Sequence, residues 1–337
     1  MKRELPEQVV FAELNALWHL MPEESEKIRQ FFEVINFKEK DIIVQQGKAV
    51  KGLYIIQTGK VAVFMRTPGD KPLLLAVFES GEIFGDGAII AGGLAVSTAQ
   101  ALTAAQCHFL SYEYFNYVRL ALPELGEKIT NNILLRVCKR LRQINKHIHS
   151  VMTDHQSFYQ VITKHRKYSK ATFKRCRFNE THYDTNYLLS LGVFRALSLD
   201  ELKILLHYMQ LYAVKRDEIL FYEGDKADCY YLILQGAVQM SIQRQAKRLK
   251  LSVFGPGDIA GDISLIDGKP RTATATVRTD GLIFSLTHEN FAQLKIEYPF
   301  IWQKLYDFIC ASLVKVLRKA NMELVRMKSQ FGVDIQL

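Results

Sequence analysis

Asp262 and Arg271 are the two side chains whose types and spacing most directly suggest a chemistry. They stand nine residues apart. The first lies in Phe254-Gly255-Pro256-Gly257-Asp258-Ile259-Ala260-Gly261-Asp262-Ile263-Ser264-Leu265 and the second in Lys269-Pro270-Arg271-Thr272-Ala273. A carboxylate and a guanidinium are binding groups by type, and neither run offers a nucleophile with an adjacent base. The plain alternative is a surface salt bridge beside a glycine-rich turn. No G-x-S-x-G or H-E-x-x-H sequence occurs in the chain. The five cysteines, Cys107, Cys138, Cys176, Cys229 and Cys310, form no C-x-x-C pair, which disfavours a zinc site and a disulfide framework. His147, His149, His155 and His165 have no second ligand type at metal spacing. These features point to a protein that binds rather than catalyses, with no metal and no cofactor.

The elements that must carry these residues occur twice. Leu53-Tyr54-Ile55-Ile56-Gln57-Thr58-Gly59-Lys60-Val61 returns as Tyr230-Tyr231-Leu232-Ile233-Leu234-Gln235-Gly236-Ala237-Val238, an offset of 177. Further on the offset becomes 176, matching Gly85-Asp86 with Gly261-Asp262, Phe115 with Phe291, Pro123 with Pro299, and Leu141-Arg142 with Leu317-Arg318. A period this long means two copies of a domain, not a solenoid. Each copy opens with helical pattern (Gln8 to Phe32; Tyr187 to Tyr208), and Ser198-Leu199-Asp200-Glu201 has the form of a capping box. Short apolar runs follow: Leu53 to Ile56, Val61 to Phe64 and Leu73 to Phe78, then Tyr230 to Leu234, Val238 to Ile242 and Leu249 to Phe254. Short strands with glycine turns imply a barrel or jelly roll. A long helical pattern closes each copy, Leu120 to Met152 and Tyr298 to Met327.

The second copy's run resembles the phosphate-binding cassette of cyclic nucleotide-binding domains, in which a G-E-[LI]-[AS]-L turn of helix is followed by P-R-[ST]-A. The resemblance covers residues 10–150 and 186–330 as two domains, with 151–185 as linker. The implied fold is mainly β with flanking helices: two tandem β-barrel (jelly-roll) domains, each closed by a long C-terminal helix. The implied ligand is cAMP or cGMP. Its site would consist of Gly261, Asp262, Ile263, Ser264, Arg271, Thr272 and Ala273. A helix N-terminus suits the cyclic phosphate, and Arg271 would present a guanidinium fork to its exocyclic oxygens. Asp262 would accept the ribose 2′-hydroxyl in place of the family's longer Glu. A weakened buried hydrogen bond there costs about 1–3 kcal/mol.

The first copy departs from this pattern. Its cassette reads Gly81-Glu82-Ile83-Phe84-Gly85-Asp86-Gly87-Ala88-Ile89-Ile90, then Ala95-Val96-Ser97-Thr98-Ala99. Ser97 or Ala95 takes the arginine's place, depending on how the loop is aligned. Gly85, Asp86, Ser97 and Thr98 are the residues left to hold a ligand. A buried phosphate without a counter-charge is costly, so this pocket reads as vestigial or altered.

The charge of the chain is concentrated. Seven cations and no acid lie between Lys164 and Arg177. Removing those seven from the 44 basic residues leaves 37 against 35 acidic. Lys170, Lys174, Arg175 and Arg177 could therefore meet an acidic partner or, with Tyr168 and Phe173 interleaved, nucleic acid; a solvated linker has the same composition. The heptad spacing of Leu134, Val137, Leu141, Ile144, Ile148 and Val151, echoed by Ile309, Leu313, Val316, Ala320, Leu324 and Met327, suits either a homodimer through the closing helices or packing within one chain. No apolar run spans a membrane and none resembles a signal peptide, which leads to an expected cytoplasmic location without membrane insertion.

The resemblance extends to transcription regulators of the catabolite activator type and to the regulatory subunit of cyclic AMP-dependent protein kinase. The residues after the last helix are too few for a helix-turn-helix domain, so DNA reading by such a domain is not expected. The implied function is a non-catalytic cyclic nucleotide receptor or regulatory protein in signalling. It would bind through the second domain and act on an unidentified effector protein by moving its closing helix. The alternatives are a ligand-independent scaffold with vestigial pockets, and a nucleic-acid-associated regulator using the basic linker.

Overall fold

A computed structural model describes residues 20–66, 72–154, 173–177, 184–244 and 247–331. The chain divides into two compact units, one of residues 1–143 with 317–337 and one of residues 144–316.

In the first unit α1 (Pro22–Arg29) starts with proline in its first turn and acids at Glu23 and Glu24, which suit the helix dipole. Helix gives way to β1 (Phe32–Phe37) earlier than the helical pattern to Phe32 suggests, because Phe32 pairs with Leu110 at the head of an unbroken antiparallel ladder. Two four-stranded sheets follow. One holds β1, β8 (Ala105–Ser111), β3 (Gly52–Thr58) and β6 (Ile83–Phe84); the other holds β2 (Ile42–Val44), β7 (Thr98–Ala101), β4 (Val61–Met65) and β5 (Leu73–Phe78), each in that order. The apolar run of β3 is continuous because both of its faces are covered. Leu53 and Ile55 pack with Ile28, Phe115, Val118, Ile129 and Ile133, while Tyr54 and Ile56 pack with Val61, Phe84, Ala99 and Phe109. The cassette helix α2 (Asp86–Ala91) follows β6.

The first closing helix starts at Pro123 and not at Leu120, behind a separate shorter helix. Helix α3 (Tyr112–Ala121), capped by Ser111, whose Oγ accepts from Tyr114 N at 3.1 Å, ends at Leu122. Then α4 (Pro123–Asp154) begins with Pro123 in its first turn, the position a residue without an N–H tolerates.

In the second unit the helical stretch expected from Tyr187 to Tyr208 is interrupted. Helix α5 (Thr185–Ser190) stops, and α6 (Leu199–Tyr208) starts afresh on the expected capping box. Ser198 N donates to Glu201 Oε2 at 2.7 Å and Glu201 N to Ser198 Oγ at 3.2 Å. The strands are β9 (Lys174–Arg175), β10 (Gln210–Val214), β11 (Ile219–Phe221), β12 (Cys229–Arg244), β13 (Lys247–Phe254), β14 (Ile259–Ala260) and β15 (Thr274–Thr287). They form one sheet in the order β13, β12, β15, β10, β9, with β11 on β15 and β14 on β12. The two runs Tyr230 to Leu234 and Val238 to Ile242 are thus one long strand. Its register against β15 shifts between Ile233 and Val238, so the strand bends through Gly236 instead of turning back. The cassette helix α7 (Asp262–Asp267), then α8 (His288–Glu297) and α9 (Pro299–Phe331), complete the order.

Of the heptad residues, Leu134, Val137, Leu141, Ile144, Ile309, Leu313 and Leu324 are buried within the single chain, while the side chains of Ile148, Val151 and Met327 lie outside the described residues. Among the described residues no helix is long and apolar enough to cross a membrane, and no group of three His, Cys, Asp or Glu gathers as a metal site would require.

Candidate anion site of the second unit

Strand β14 pairs with β12 (Tyr231 opposite Ala260, Leu232 opposite Ile259) and delivers the chain to Gly261. Gly261 has φ of 97°, and a Cβ there would run into the Arg271 guanidinium, so only glycine both makes the turn and admits that side chain. Arg271 is fixed at its backbone, where its N donates to Asp225 O and its O accepts from Gly224 N, both at 2.9 Å.

The Arg271 side chain turns inward and is 4% exposed. Nη1 donates to Gly261 O at 3.1 Å and Nη2 to Cys229 O. The guanidinium carbon lies 4.2 Å from the centre of the Phe221 ring, and Phe221 stacks on Tyr231. Nε has no hydrogen-bond partner. Among the described residues no carboxylate stands within ion-pair distance of Arg271, and the expected alternative, a surface salt bridge with Asp262, is replaced by two buried groups that do not pair. A buried cation whose partners are carbonyls and a ring keeps donors in hand and lacks a negative charge. Such a desolvated ion costs several kcal/mol until one arrives.

Asp262 is also 4% exposed. Its Oδ1 accepts from Ile263 N at 3.0 Å, whereas Oδ2 has no hydrogen bond of regular geometry. Burial pushes its carboxyl up to about 7; the Ile263 N–H, the Ser312 hydroxyl on α9 and Arg271 pull it only partly back. Beside Arg271, the His288 imidazole is held below its ordinary range by burial first and by the arginine second, so it adds no second positive charge at neutral pH.

Of the residues expected here, Gly261, Asp262, Ile263, Ser264 and Arg271 come together on one turn. Thr272 is half-buried, and the Ala273 side chain belongs to the apolar core. Sequence reasoning missed Phe221, the Cys229 carbonyl and Ser312. Only the apolar character of Phe221 signalled it, and a carbonyl carries no sequence signal.

The first unit resolves the loop alignment. Gly47 N donates to Ala95 O and Ala95 N to Lys48 O, both at 2.8 Å, reproducing the bonds of Gly224, Arg271 and Asp225. Ala95 therefore stands where Arg271 stands, and Ser97 stands where Ala273 does. Thr98 corresponds to Thr274: each hydroxyl accepts a backbone N–H, from Gln46 at 3.1 Å and from Glu223 at 3.0 Å, which is a role in the fold. Gly85 precedes α2 in a left-handed conformation like Gly261, and Asp86 is buried.

Of the basic segment, Lys170 and Tyr168 lie outside the described residues. Lys174 and Arg175 form the edge strand β9 on β10 and are exposed, as is Arg177. Phe173 is half-buried, its ring 5.6 Å from that of Tyr212 and 6.2 Å from that of Tyr231. It packs against the barrel core.

The cyclic nucleotide-binding domain family model matches residues 34–119 and 212–298. The chain is 29% identical over 133 residues to the cyclic AMP receptor protein of Thermus thermophilus, covering 39% of this chain and 60% of that protein. It is 22% identical over 160 residues to the cAMP-dependent protein kinase regulatory subunit of Eremothecium gossypii, covering 48% of this chain and 33% of that one. The chain thus spans 33% to 60% of the length of these two curated relatives. The solved structure "cAMP bound PfPKA-R (141-441)" aligns with 99% of this chain and 94% of its own at 19% identity and a TM-score of 0.34.

Proposed function

We propose that this chain, which belongs to the cyclic nucleotide-binding domain family, is a non-catalytic receptor or regulatory protein whose second unit takes cAMP or cGMP. The observation that carries this reading is the buried Arg271 without a carboxylate partner. A cyclic phosphate brings the single negative charge that the site lacks. The two carbonyl bonds hold the guanidinium plane, and Nε and the remaining Nη hydrogens stay available as donors. Asp262 would accept the ribose hydroxyl, and its contact with Ser312 gives a route from ligand to closing helix. Because burial favours the neutral acid, a ligand that prefers the carboxylate changes the hydrogen bonding offered to Ser312 on α9. A ligand moves the helix only by as much as it distinguishes its two arrangements. The relatives named for cyclic AMP support cAMP as the first ligand to try.

Isothermal titration of the full chain with cAMP and cGMP tests this: wild type should bind, and Arg271→Leu should not while remaining folded. No heat at millimolar nucleotide would leave the ligand-independent scaffold. The exposed Lys174, Arg175 and Arg177 favour, in addition, contact with an acidic effector or nucleic acid, for which binding should weaken steeply with salt. A cytoplasmic location belongs to the same proposal. A homodimer through the closing helices would have to use faces other than the buried heptad residues.

A further inference from the structure

The two cassettes solve the same electrostatic problem with cations from different elements. In the second unit the loop supplies Arg271. The closing-helix positions facing the cassette hold Ser312, near Asp262, and Val316, which packs against the apolar core. In the first unit the loop has Ala95, and the corresponding helix positions, at the offset of 176, hold Arg136 and Arg140. Arg140 Nη1 lies 3.1 Å from Asp86 Oδ1 and 2.9 Å from Oδ2, and Nη2 donates to Ile83 O at 3.1 Å. Its guanidinium carbon sits 5.3 Å from the centre of the Phe78 ring. The Asp86 side chain is 7% exposed and that of Arg140 31%.

The barrel behind this pair is filled. Phe84 stands where the second unit has Ala260, and its ring stacks on Tyr54 at 5.0 Å and on Phe78 at 6.5 Å. What differs here is that the buried carboxylate already has a guanidinium, the loop supplies no cation, and the Phe84 ring stands where the second unit has only a methyl group.

We propose that Arg140 is the first unit's built-in occupant: it engages the cassette carboxylate Asp86 and ties the closing helix α4 to the cassette without a nucleotide. The first unit is then a fixed half whose helix does not respond to ligand. Arg136, half-buried beside Arg140 and within the field of Asp86 and Glu82, adds to the same positive field from one helical turn away. The inference does not require that the second unit bind anything: its double-mutant cycle is run on nucleotide-free protein, and added nucleotide serves only to check that the first unit's helix stays fixed.

The test is a double-mutant cycle on the full chain, read by hydrogen exchange of the backbone amides in residues 136–143. Arg140→Gln and Asp86→Asn should each speed exchange there about tenfold to a hundredfold, the range expected for a charge-assisted hydrogen bond. Joined in one protein they should do no more than Arg140→Gln alone, because the Asp86 contacts are lost in both, whereas the Nη2 bond to Ile83 O and the Phe78 contact are lost only with the arginine. Protection of β3 and β8 reports that the barrel is intact. Asp86→Asn is isosteric, so in that variant loss of packing alone should leave exchange near wild type. Unchanged exchange in Arg140→Gln, or effects that multiply in the double variant, would overturn the proposal. Faster exchange confined to the three variants, together with wild-type exchange that does not respond to added cAMP or cGMP, would establish it.

Discussion

Replacing Asp262 by asparagine should make the chain more stable, and by more at alkaline than at acidic pH. The carboxyl is 4% exposed and its pKa is raised from 3.8 to about 7, chiefly by burial. In the unfolded chain it ionises near its ordinary value. The folded state therefore holds its proton more tightly, and the contribution of this group to stability falls as pH rises from the unfolded toward the folded pKa. A displacement of about three pH units corresponds to roughly 4 kcal/mol once both states are ionised. Between pH 5 and pH 8 the wild-type protein should lose about 2–3 kcal/mol through this one group, and the asparagine variant should not. Urea titrations of both proteins at the two pH values measure the difference, and titrations common to both proteins, such as those of His108 and His288, cancel. A stability difference that varies by less than about 0.5 kcal/mol between the two pH values would mean that the carboxyl ionises normally, and the account of its burial would be wrong.

Arg271→Met should leave the stability of the ligand-free chain within about 1 kcal/mol of wild type, because two carbonyl bonds and a ring contact are lost while the cost of an unpaired buried cation is removed. Thermal melts with and without cAMP would then show a ligand-induced shift only in wild type. Gly261→Ala should abolish nucleotide binding and lower Tm, since a Cβ at φ of 97° strains the turn and displaces the guanidinium; titration calorimetry with a melt checks both. Ala95→Arg alone should not create a second binding site, because Phe84 and the Arg140–Asp86 pair already occupy the place; calorimetric stoichiometry would rise if that reasoning fails.

The cassette of the second unit was legible because its chemistry is local. Gly261, Asp262, Ile263 and Ser264 are consecutive, and Arg271 follows after a short loop held at Gly224 and Asp225. The strands of the first unit were legible for a related reason: β5 runs from Leu73 to Phe78 as its apolar run does. The second unit's long strand reads as two runs because Gly236 marks a break along the chain. At the equivalent Gly59 the first unit does divide, into β3 and β4, which pair with β8 and β7 and not with each other, so only the pairing partners tell a bulge within a strand from a passage between sheets.

The sequence alone determined that this chain holds two copies of one β-rich domain, that the second keeps a carboxylate and an arginine in cassette order, and that the first has lost the loop arginine. Those properties depend on residue types at short spacing. Tertiary structure decided that Ala95 is the arginine's counterpart, because the alignment rests on backbone bonds to Gly47 and Lys48, which no side chain reveals. It also decided that among the described residues Arg271 has no acid while Asp86 has Arg140, 54 residues away. Charge compensation depends on distance in space and on the exclusion of water. Neither exists until the closing helix has packed on its barrel, so an arginine on a helix face reads as solvated surface until the fold brings it to a buried carboxylate.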